Sequence, residues 1–457
     1  MEEQKRENKM GTMPVNSLLL SMALPMMLSM LVQACYNIVD SLFLARVSEE
    51  SITAVSLAFP VQMLMISFGG GLGVGVNALL SKSLGEKNFE EANRAAMNGI
   101  FISLLGAFCF IFFGIFFCKS FFISQTKDAV IVKEATSYLS ICTIVCVGLI
   151  FQMIFERLLQ STGKTIFSMI TQLTGAVINI ILDPIFIFGY FGMPRMGTAG
   201  AAVATVAGQC VAAVLGLVFN LKFNHDIRLK LKGFRPKKST IKRILVVGLP
   251  AMVMQSVGSV MNFGMNHILL GFSTTAAAVF GIYFKINSFI FMPVFGLNNG
   301  MIPILSYNYG AKNKDRMLKT LKLSIMYAML IMFTGLIIFQ TIPEKLLALF
   351  KASDNMLAIG VPALRIISVS FLFASVCIIL ISSFQALGNG YYSLIISVCR
   401  QLIVLLPVAY LFSRTGNIDM VWLAFPIAEI VSVSLCIFYF IRIYRKRIKP
   451  LEQQVSV

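Results

Sequence analysis

The chain has 457 residues, of which 57% are hydrophobic and 13% are charged, and its mean hydropathy is +0.83. Soluble domains carry about 25% charged residues, so the composition excludes a soluble globular protein and indicates one that crosses a membrane many times. The net charge of +18 requires no nucleic-acid partner, because basic residues gather between apolar segments, where they face anionic lipid headgroups.

Twelve apolar segments, numbered here as spans in chain order, approach or exceed the roughly 20 residues that cross a bilayer. The first six lie at 16–46, 52–82, 93–118, 130–160, 164–190 and 198–222. The other six lie at 241–272, 276–306, 318–342, 358–386, 390–414 and 418–442. We therefore predict an all-α integral membrane protein with twelve transmembrane helices in two six-helix lobes. The predicted domains are a cytoplasmic tail at 1–15, an N-lobe at 16–222, a basic cytoplasmic linker at 223–240, a C-lobe at 241–442 and a cytoplasmic tail at 443–457.

The second half of the sequence repeats the first with a constant offset of 225 residues. The matching pairs include Pro25 and Pro250, Gly71 and Gly296, Gly75 and Gly300, Ser81 and Ser306, and Gln160 and Gln385. Each copy holds an even number of spans, so both copies enter the membrane from the same side and form a parallel repeat. Duplicated helical bundles of this kind are common in transporters.

The distribution of lysine and arginine predicts the orientation of the chain. These residues concentrate in the N-terminal tail, the 82–94 loop, the linker, the 312–322 region and the C-terminal tail. Because cytoplasmic loops carry the excess of positive charge, we expect both termini in the cytoplasm. No GxxxxGK[ST] phosphate-binding loop is present, so transport would be driven by an ion gradient or would be passive.

Acidic residues inside the spans give the strongest functional signal, because a charge at the centre of a bilayer costs at least about 2.5–3.5 kcal/mol. Asp40 in span 1 and Asp183 in span 5 reach a similar depth in the N-lobe. Tyr36, Asn37 and Asn179 lie one helical turn from these acids. We interpret the five residues as a site that holds a coupling proton or Na⁺; the alternative is that each acid only hydrogen-bonds a neighbouring helix.

Further polar residues of the N-lobe are candidates for substrate contact. Glu156 lies near the inner end of span 4 and could meet substrate from the cytoplasm, although an interfacial charge that reaches water is equally consistent. Gln33, Gln62 and Asp183 complete the predicted substrate-binding set. Glycines at 69, 70, 71, 73 and 75 of span 2 predict close helix packing.

The C-lobe contains a smaller charge network, in which Glu429 is expected to pair with Lys285 or Arg400. Pro25 lies in the middle of span 1 and removes a backbone hydrogen bond, so it predicts either a hinge or a static kink. The nine cysteines fall in or at the ends of spans without CxxC spacing. We therefore predict no metal, no disulfide and no cofactor other than H⁺ or Na⁺ as the coupling ion.

Several motifs carry a resemblance to a known family. They are ALPMMLSMLVQACYNIVDSLFLARV at 23–47, NIILDPIFIFG at 179–189, VWLAFPIAE at 421–429 and the pair GVGVNALLSKSLGEKN and GLNNGMIPILSYNYGAKN. The chain resembles the multidrug and toxic compound extrusion (MATE) family, nearest its MepA-like and DinF-like bacterial branches. The resemblance implies a monomeric antiporter, not an enzyme, that exports organic cations or drugs across the bacterial cell membrane in exchange for H⁺ or Na⁺. Its other partners would be membrane lipids.

The resemblance also assigns roles to individual residues. It places Asp40 and Asp183 in cation coupling or drug binding, and Glu156 at a position implicated in MepA-like transporters. Some members carry an acid in span 7, where this chain has Gly258, and that departure favours coupling in the N-lobe. The alternative function is a flippase for lipid-linked saccharides, which would need a cluster of cations facing its cavity; only Lys285 and Arg400 lie deep in the C-lobe.

Overall fold

The computed structural model describes residues 8–230, 232–350 and 352–454, except for the side chains of residues 37, 38, 40–42, 44, 45, 49 and 452–454. This part of the chain is helical and contains no strand. Ten of its helices are long and apolar enough to cross a membrane, and the number rises to twelve when each of two bent pairs is taken as one span. The all-α fold predicted from the sequence is confirmed.

The first copy of the repeat consists of long helices joined by short connections. They are α1 at Val15–Ala45, α2 at Glu49–Gly85, α3 at Phe89–Phe116, α4a at Ala129–Ile144, α4b at Val147–Ser161, α5 at Thr165–Phe188 and α6 at Thr198–Lys222. Short helices lie at Lys9–Thr12, Cys118–Gln125 and Tyr190–Gly192.

The second copy follows the same plan. Its helices are α7 at Lys238–Leu270, α8 at Thr274–Gly310, α9 at Lys314–Thr341, α10a at Asp354–Ser368, α10b at Phe371–Ala386, α11 at Gly390–Ser413 and α12 at Ala424–Ile443. Short helices lie at Pro343–Ala348 and Ile418–Trp422, and a π-helical stretch at Cys399–Leu405 forms the middle of α11.

The fourth and tenth spans are bent, which the sequence did not predict. The bend is 44° between α4a and α4b and 50° between α10a and α10b. At the first break the Thr143 hydroxyl donates to the carbonyl of Leu139 at 2.7 Å, and at the second Ser370 donates to Ile367 at 2.6 Å. Hydroxyls that bond the preceding turn of their own helix often bend it, and one such bond lies at each break.

The repeat extends to individual hydrogen bonds. Ser81 Oγ donates to the carbonyl of Ser161 at 2.8 Å, and Ser306 Oγ, its counterpart, donates to the carbonyl of Ala386 at 2.9 Å. In each copy this bond fastens the second helix to the end of the fourth. The two halves therefore share local geometry as well as hydropathy, as the parallel repeat predicted.

The chain divides into two compact units whose limits fall inside helices. The first unit contains Leu28–Met252 and the second contains Lys9–Met27 and Val253 onward. The first part of α1 therefore packs within the second unit, and the first part of α7 within the first unit. Pro25 and Pro250 each lie just before the point where their helix passes from one unit to the other.

In the first unit, the start of α7 is fastened to α3. The Glu91 carboxylate accepts from the Thr240 hydroxyl at 3.1 Å and from Arg243 Nη1 at 3.0 Å. The backbone N–H of Lys237 donates to Asn98 Oδ1 at 3.0 Å. These bonds hold the segment that enters α7 against the beginning of the third helix.

In the second unit, the counterpart of Glu91 is Arg316 of α9, and the charge is inverted. Arg316 Nη2 donates to the carbonyls of Met10 at 3.0 Å and Met13 at 2.7 Å, and its Nε donates to Asn308 Oδ1 at 3.2 Å. Carbonyls at the end of a helix lack intrahelical donors, and the guanidinium supplies them here. The same position of the repeat thus fastens the segment before α1, with a cation in place of an anion.

We expect Glu91→Gln to lower the free energy of unfolding by about 1–2 kcal/mol, because a neutral amide replaces the buried carboxylate that accepts from Thr240 and Arg243. The matched control is Glu90→Gln. The Glu90 side chain is 73% exposed against 11% for Glu91, and exposed ion pairs contribute about 0.2–1 kcal/mol. Thermal unfolding in detergent measures both changes. Equal destabilisation by the two variants would contradict an anchoring role for Glu91.

Candidate functional site

The candidate site is built around Asp183 on α5, whose side chain is fully buried. The amide of Asn179, one turn earlier, lies 3.0 Å from Asp183 Oδ2 on one side and 3.1 Å from Thr205 Oγ1 of α6 on the other. With its nitrogen towards the carboxylate, the amide donates to Asp183 and accepts from Thr205, which satisfies both of its ends. Asn179 therefore holds the Asp183 carboxylate in place.

Helix α1 contributes Gln33 and Tyr36 to the same region. Gln33 Oε1 accepts from Gln172 Nε2 of α5 at 2.9 Å, which ties α1 to α5 about two helical turns before Asn179. The side chains of Asp40 and Asn37 lie outside the described residues, so their predicted place in the coupling site stays a prediction.

A cavity of about 90 Å³ within the first unit opens beside Asn179. Its polar lining consists mainly of amides, contributed by Gln33 of α1, Gln152 of α4b, Gln172 and Asn179 of α5, and Gln209 of α6. Tyr36, Ser29 and Thr205 add hydroxyl groups. We call this space the amide cavity. It offers donors and acceptors on four helices to a bound molecule.

Gln152, Gln172 and Gln209 were not predicted from the sequence. A signal for one of them was present: Gln172, Asn179 and Asp183 recur at helical spacing on one face of α5. Uncharged amides are not identified by the cost of burying a charge, which identified Asp183 and Glu156. Their convergence in one cavity depends on how four helices pack.

Glu156 is buried, with 7% of its surface exposed. It accepts a hydrogen bond of 2.9 Å from Gln152 Nε2, one turn earlier on α4b. Its neighbour Arg157 donates to Gln160 at 2.9 Å. Glu156 thus lies behind a residue of the cavity wall, away from free water.

Gln62 does not share this site. Its amide donates to the Tyr138 hydroxyl of α4a at 3.0 Å, and it is not part of the cavity lining. The structure therefore brings Gln33, Tyr36 and Asn179 together with Gln152, and places Gln62 against another helix.

The second unit contains an ion pair between Arg400 and Glu429. Arg400 Nη1 lies 3.1 Å from Glu429 Oε1, and the two side chains are 21% and 15% exposed. Arg400 belongs to the π-helical stretch of α11, a geometry that often marks functional sites. Lys285 of α8, the other candidate partner, has an exposed side chain.

No group of three or more His, Cys, Asp or Glu residues suited to a metal ion occurs in the part of the chain that the structure describes. The ion ligands offered near the cavity are oxygens of a carboxylate, amides and hydroxyls, which suit a proton or a hard cation such as Na⁺.

Comparison with known proteins gives one family. The MatE family model matches residues 25–185 and 250–411, once in each copy of the repeat. The chain is 25% identical over 417 residues to a multidrug export protein MepA of Staphylococcus haemolyticus, with 91% of each chain covered. It is 26% identical over 425 residues to MepA of Staphylococcus aureus strain MSSA476, covering 93% of this chain and 92% of the relative.

Solved structures share the fold. An outward-facing multidrug resistance MATE family transporter of the MOP superfamily superposes with a TM-score of 0.92 at 24% identity, covering 99% of this chain and all of the other. A MOP superfamily transporter from Pyrococcus furiosus, described as having a binding pocket of reverse polarity, gives a TM-score of 0.90 at 24% identity, with 99% and 100% covered.

Proposed function

The protein belongs to the MatE family of membrane transporters, and we propose that it is a multidrug efflux antiporter that exports organic cations in exchange for H⁺ or Na⁺. As a member of this family it is a transporter and not an enzyme, and it needs no cofactor. The export of several drugs is the activity for which its MepA relatives are named. Antiport and the class of substrate are our proposal.

The observation that carries the proposal is the buried Asp183 carboxylate held by Asn179 at the wall of the amide cavity. Ionisable residues within a membrane span are functional sites by default, since their burial is costly. A proton or Na⁺ bound there neutralises the carboxylate, and its release restores a negative charge beside the cavity. That charge attracts a cation, so ion and substrate bind in alternation.

The proposed cycle uses α1 as its moving part. When the cavity is open to the outside of the cell, an ion binds Asp183 together with Asp40 and lowers the affinity for the drug. When the cavity is open to the cytoplasm, release of the ion allows the next drug molecule to bind. Pro25 is the proposed hinge, because it lacks a backbone N–H and lies just before the point where α1 passes between the compact units. We propose that the protein works as a monomer in the bacterial cell membrane, with both termini in the cytoplasm as the basic loops favour.

Ethidium counter-transport in liposomes tests this function. The purified protein is reconstituted, and a pH gradient or a Na⁺ gradient is imposed separately. We expect one of the two gradients alone to drive ethidium movement, and that result identifies the coupling ion. Absence of movement under both gradients would overturn the proposal and leave a flippase for lipid-linked saccharides as the alternative, with the exposed Lys285 of α8 as the first candidate to contact a pyrophosphate.

A further inference from the structure

Two pairs of side chains in the first unit have the same construction. On α5, Asn179 lines the cavity and its amide contacts the buried Asp183 at 3.0 Å. On α4b, Gln152 lines the cavity and its amide donates to the buried Glu156 at 2.9 Å. In both pairs an amide lies in the cavity wall and a carboxylate four residues later lies behind it.

The internal repeat provides a comparison for these pairs. The counterparts of Gln152 and Glu156 in the second copy are Cys377 and Ile381. The counterparts of Asn179 and Asp183 are Val404 and Val408. The corresponding helices of the second copy form without either pair, so the pairs are not required for the helices themselves. Their restriction to the copy that contains the amide cavity connects them with the cavity.

We propose that Gln152 is a positioning residue that presents the charge of Glu156 to a cationic substrate in the amide cavity, while the Asn179–Asp183 pair holds the coupling ion. This inference rests on the proposed function and divides it between two carboxylates. A carboxamide has two N–H donors and an acceptor oxygen. Gln152 uses one donor for Glu156 and keeps a donor and its oxygen for a molecule in the cavity. The Glu156 carboxylate fixes the orientation of the Gln152 amide, including its oxygen, and supplies the negative charge.

Glu156 has a position suited to this role. Its 7% exposure keeps water from screening its charge, so its attraction for a cation is stronger than at a surface. The charge of the adjacent Arg157 also acts on Glu156, and its guanidinium donates to Gln160 at 2.9 Å. Gln152 donates to Glu156 and lines the cavity, so it is the side chain that connects the two.

A double-mutant cycle tests the inference. Ethidium binding to detergent-solubilised protein is measured by fluorescence, and ethidium KM and the half-saturating ion concentration are measured in liposomes. Gln152→Leu and Glu156→Gln are each expected to weaken ethidium binding about tenfold, the effect of losing one hydrogen bond to a charged group. KM should rise to match, with no change in the half-saturating ion concentration. The double variant should bind like the single ones, because residues that act through one interaction are not additive.

The control is Gln172→Leu, which removes a cavity amide whose partner is Gln33 and whose effect should multiply with that of Glu156→Gln. The inference is wrong if the effects of Gln152→Leu and Glu156→Gln on ethidium affinity multiply instead. It is also wrong if Gln152→Leu changes only the half-saturating ion concentration. Gln152→Met, of similar length, replaces Gln152→Leu if the latter does not fold. Equilibrium binding needs no gradient, so failure of this inference is distinguishable from failure of ion-driven transport by the unaltered protein.

Discussion

Asp183→Asn is expected to lower ion-driven ethidium export by about 100-fold, near the upper end of the coupling between two sites in one protein. Asparagine has the size of aspartate and can still bond Asn179, but it neither takes up a proton nor carries the charge that holds Na⁺. The variant should therefore fold and fail to exchange. Export is measured in liposomes under whichever gradient drives the unaltered protein.

The control is Asp354→Asn at the exposed start of α10a, which should export at the normal rate. Exchange of external for internal ethidium without an ion gradient gives a second control, since it moves one ethidium for another through the cavity and needs no coupling ion. If Asp183→Asn retains full ion-driven export, the coupling site is elsewhere, and Asp40 becomes the residue to replace.

Much of the fold follows from hydropathy because the bilayer imposes the length and apolar character of each span. The bends in the fourth and tenth spans do not follow from hydropathy. Thr143 and Ser370 resemble many other polar residues in spans, such as Thr174, whose hydroxyl also bonds its own helix. A sequence pattern cannot distinguish a hydroxyl at a break from one that an unbroken helix accommodates.

The site was predictable to the extent that burial of charge is costly. Asp183 and Glu156 could be found because a carboxylate in a span requires an explanation. Gln33 and Gln62 illustrate the limit: both were predicted to contact substrate, but the structure directs Gln62 to Tyr138 and Gln33 to Gln172. Depth is encoded by position along a helix, whereas the direction of a side chain depends on the packing of its neighbours.

The charges of the second unit show the same limit. Lys285 and Arg400 were both possible partners for Glu429, and the structure pairs it with Arg400 at 3.1 Å. The π-helical stretch that contains Arg400 changes the local rotation of α11. Such a change alters which way a side chain points and is not visible in the spacing of apolar residues.

Gly75→Ala is expected to destabilise the protein by about 3 kcal/mol, at the upper end of the usual cost of overpacking. A methyl group on Gly75 of α2 would overlap the carbonyl oxygen of Ile244 and come within 3.1 Å of the backbone nitrogen of Gly248, both in α7. Backbone atoms cannot rotate away as a side chain can. Thermal unfolding in detergent measures the loss.

Gly281→Ala on α8 is the matched control, because nothing lies within 4 Å of the added methyl. Alanine favours a helix over glycine by about 1 kcal/mol, so this variant should be slightly more stable than the unaltered protein. If Gly75→Ala lowers stability and Gly281→Ala raises it, the loss at Gly75 comes from the close approach of the helices and not from helix propensity. Gly75→Ala with unchanged stability would contradict the close approach of α2 and α7.

The cost at Gly75 also depends on whether α7 can move aside. Its first part is anchored to α3 by Thr240 and Arg243 through Glu91, so a methyl group on Gly75 meets a helix that is held in place. Releasing that anchor should let α7 shift and absorb part of the overlap. Gly75→Ala should therefore cost less in a Glu91→Gln background than alone, and a strictly additive result would show that the anchor does not restrain this part of α7.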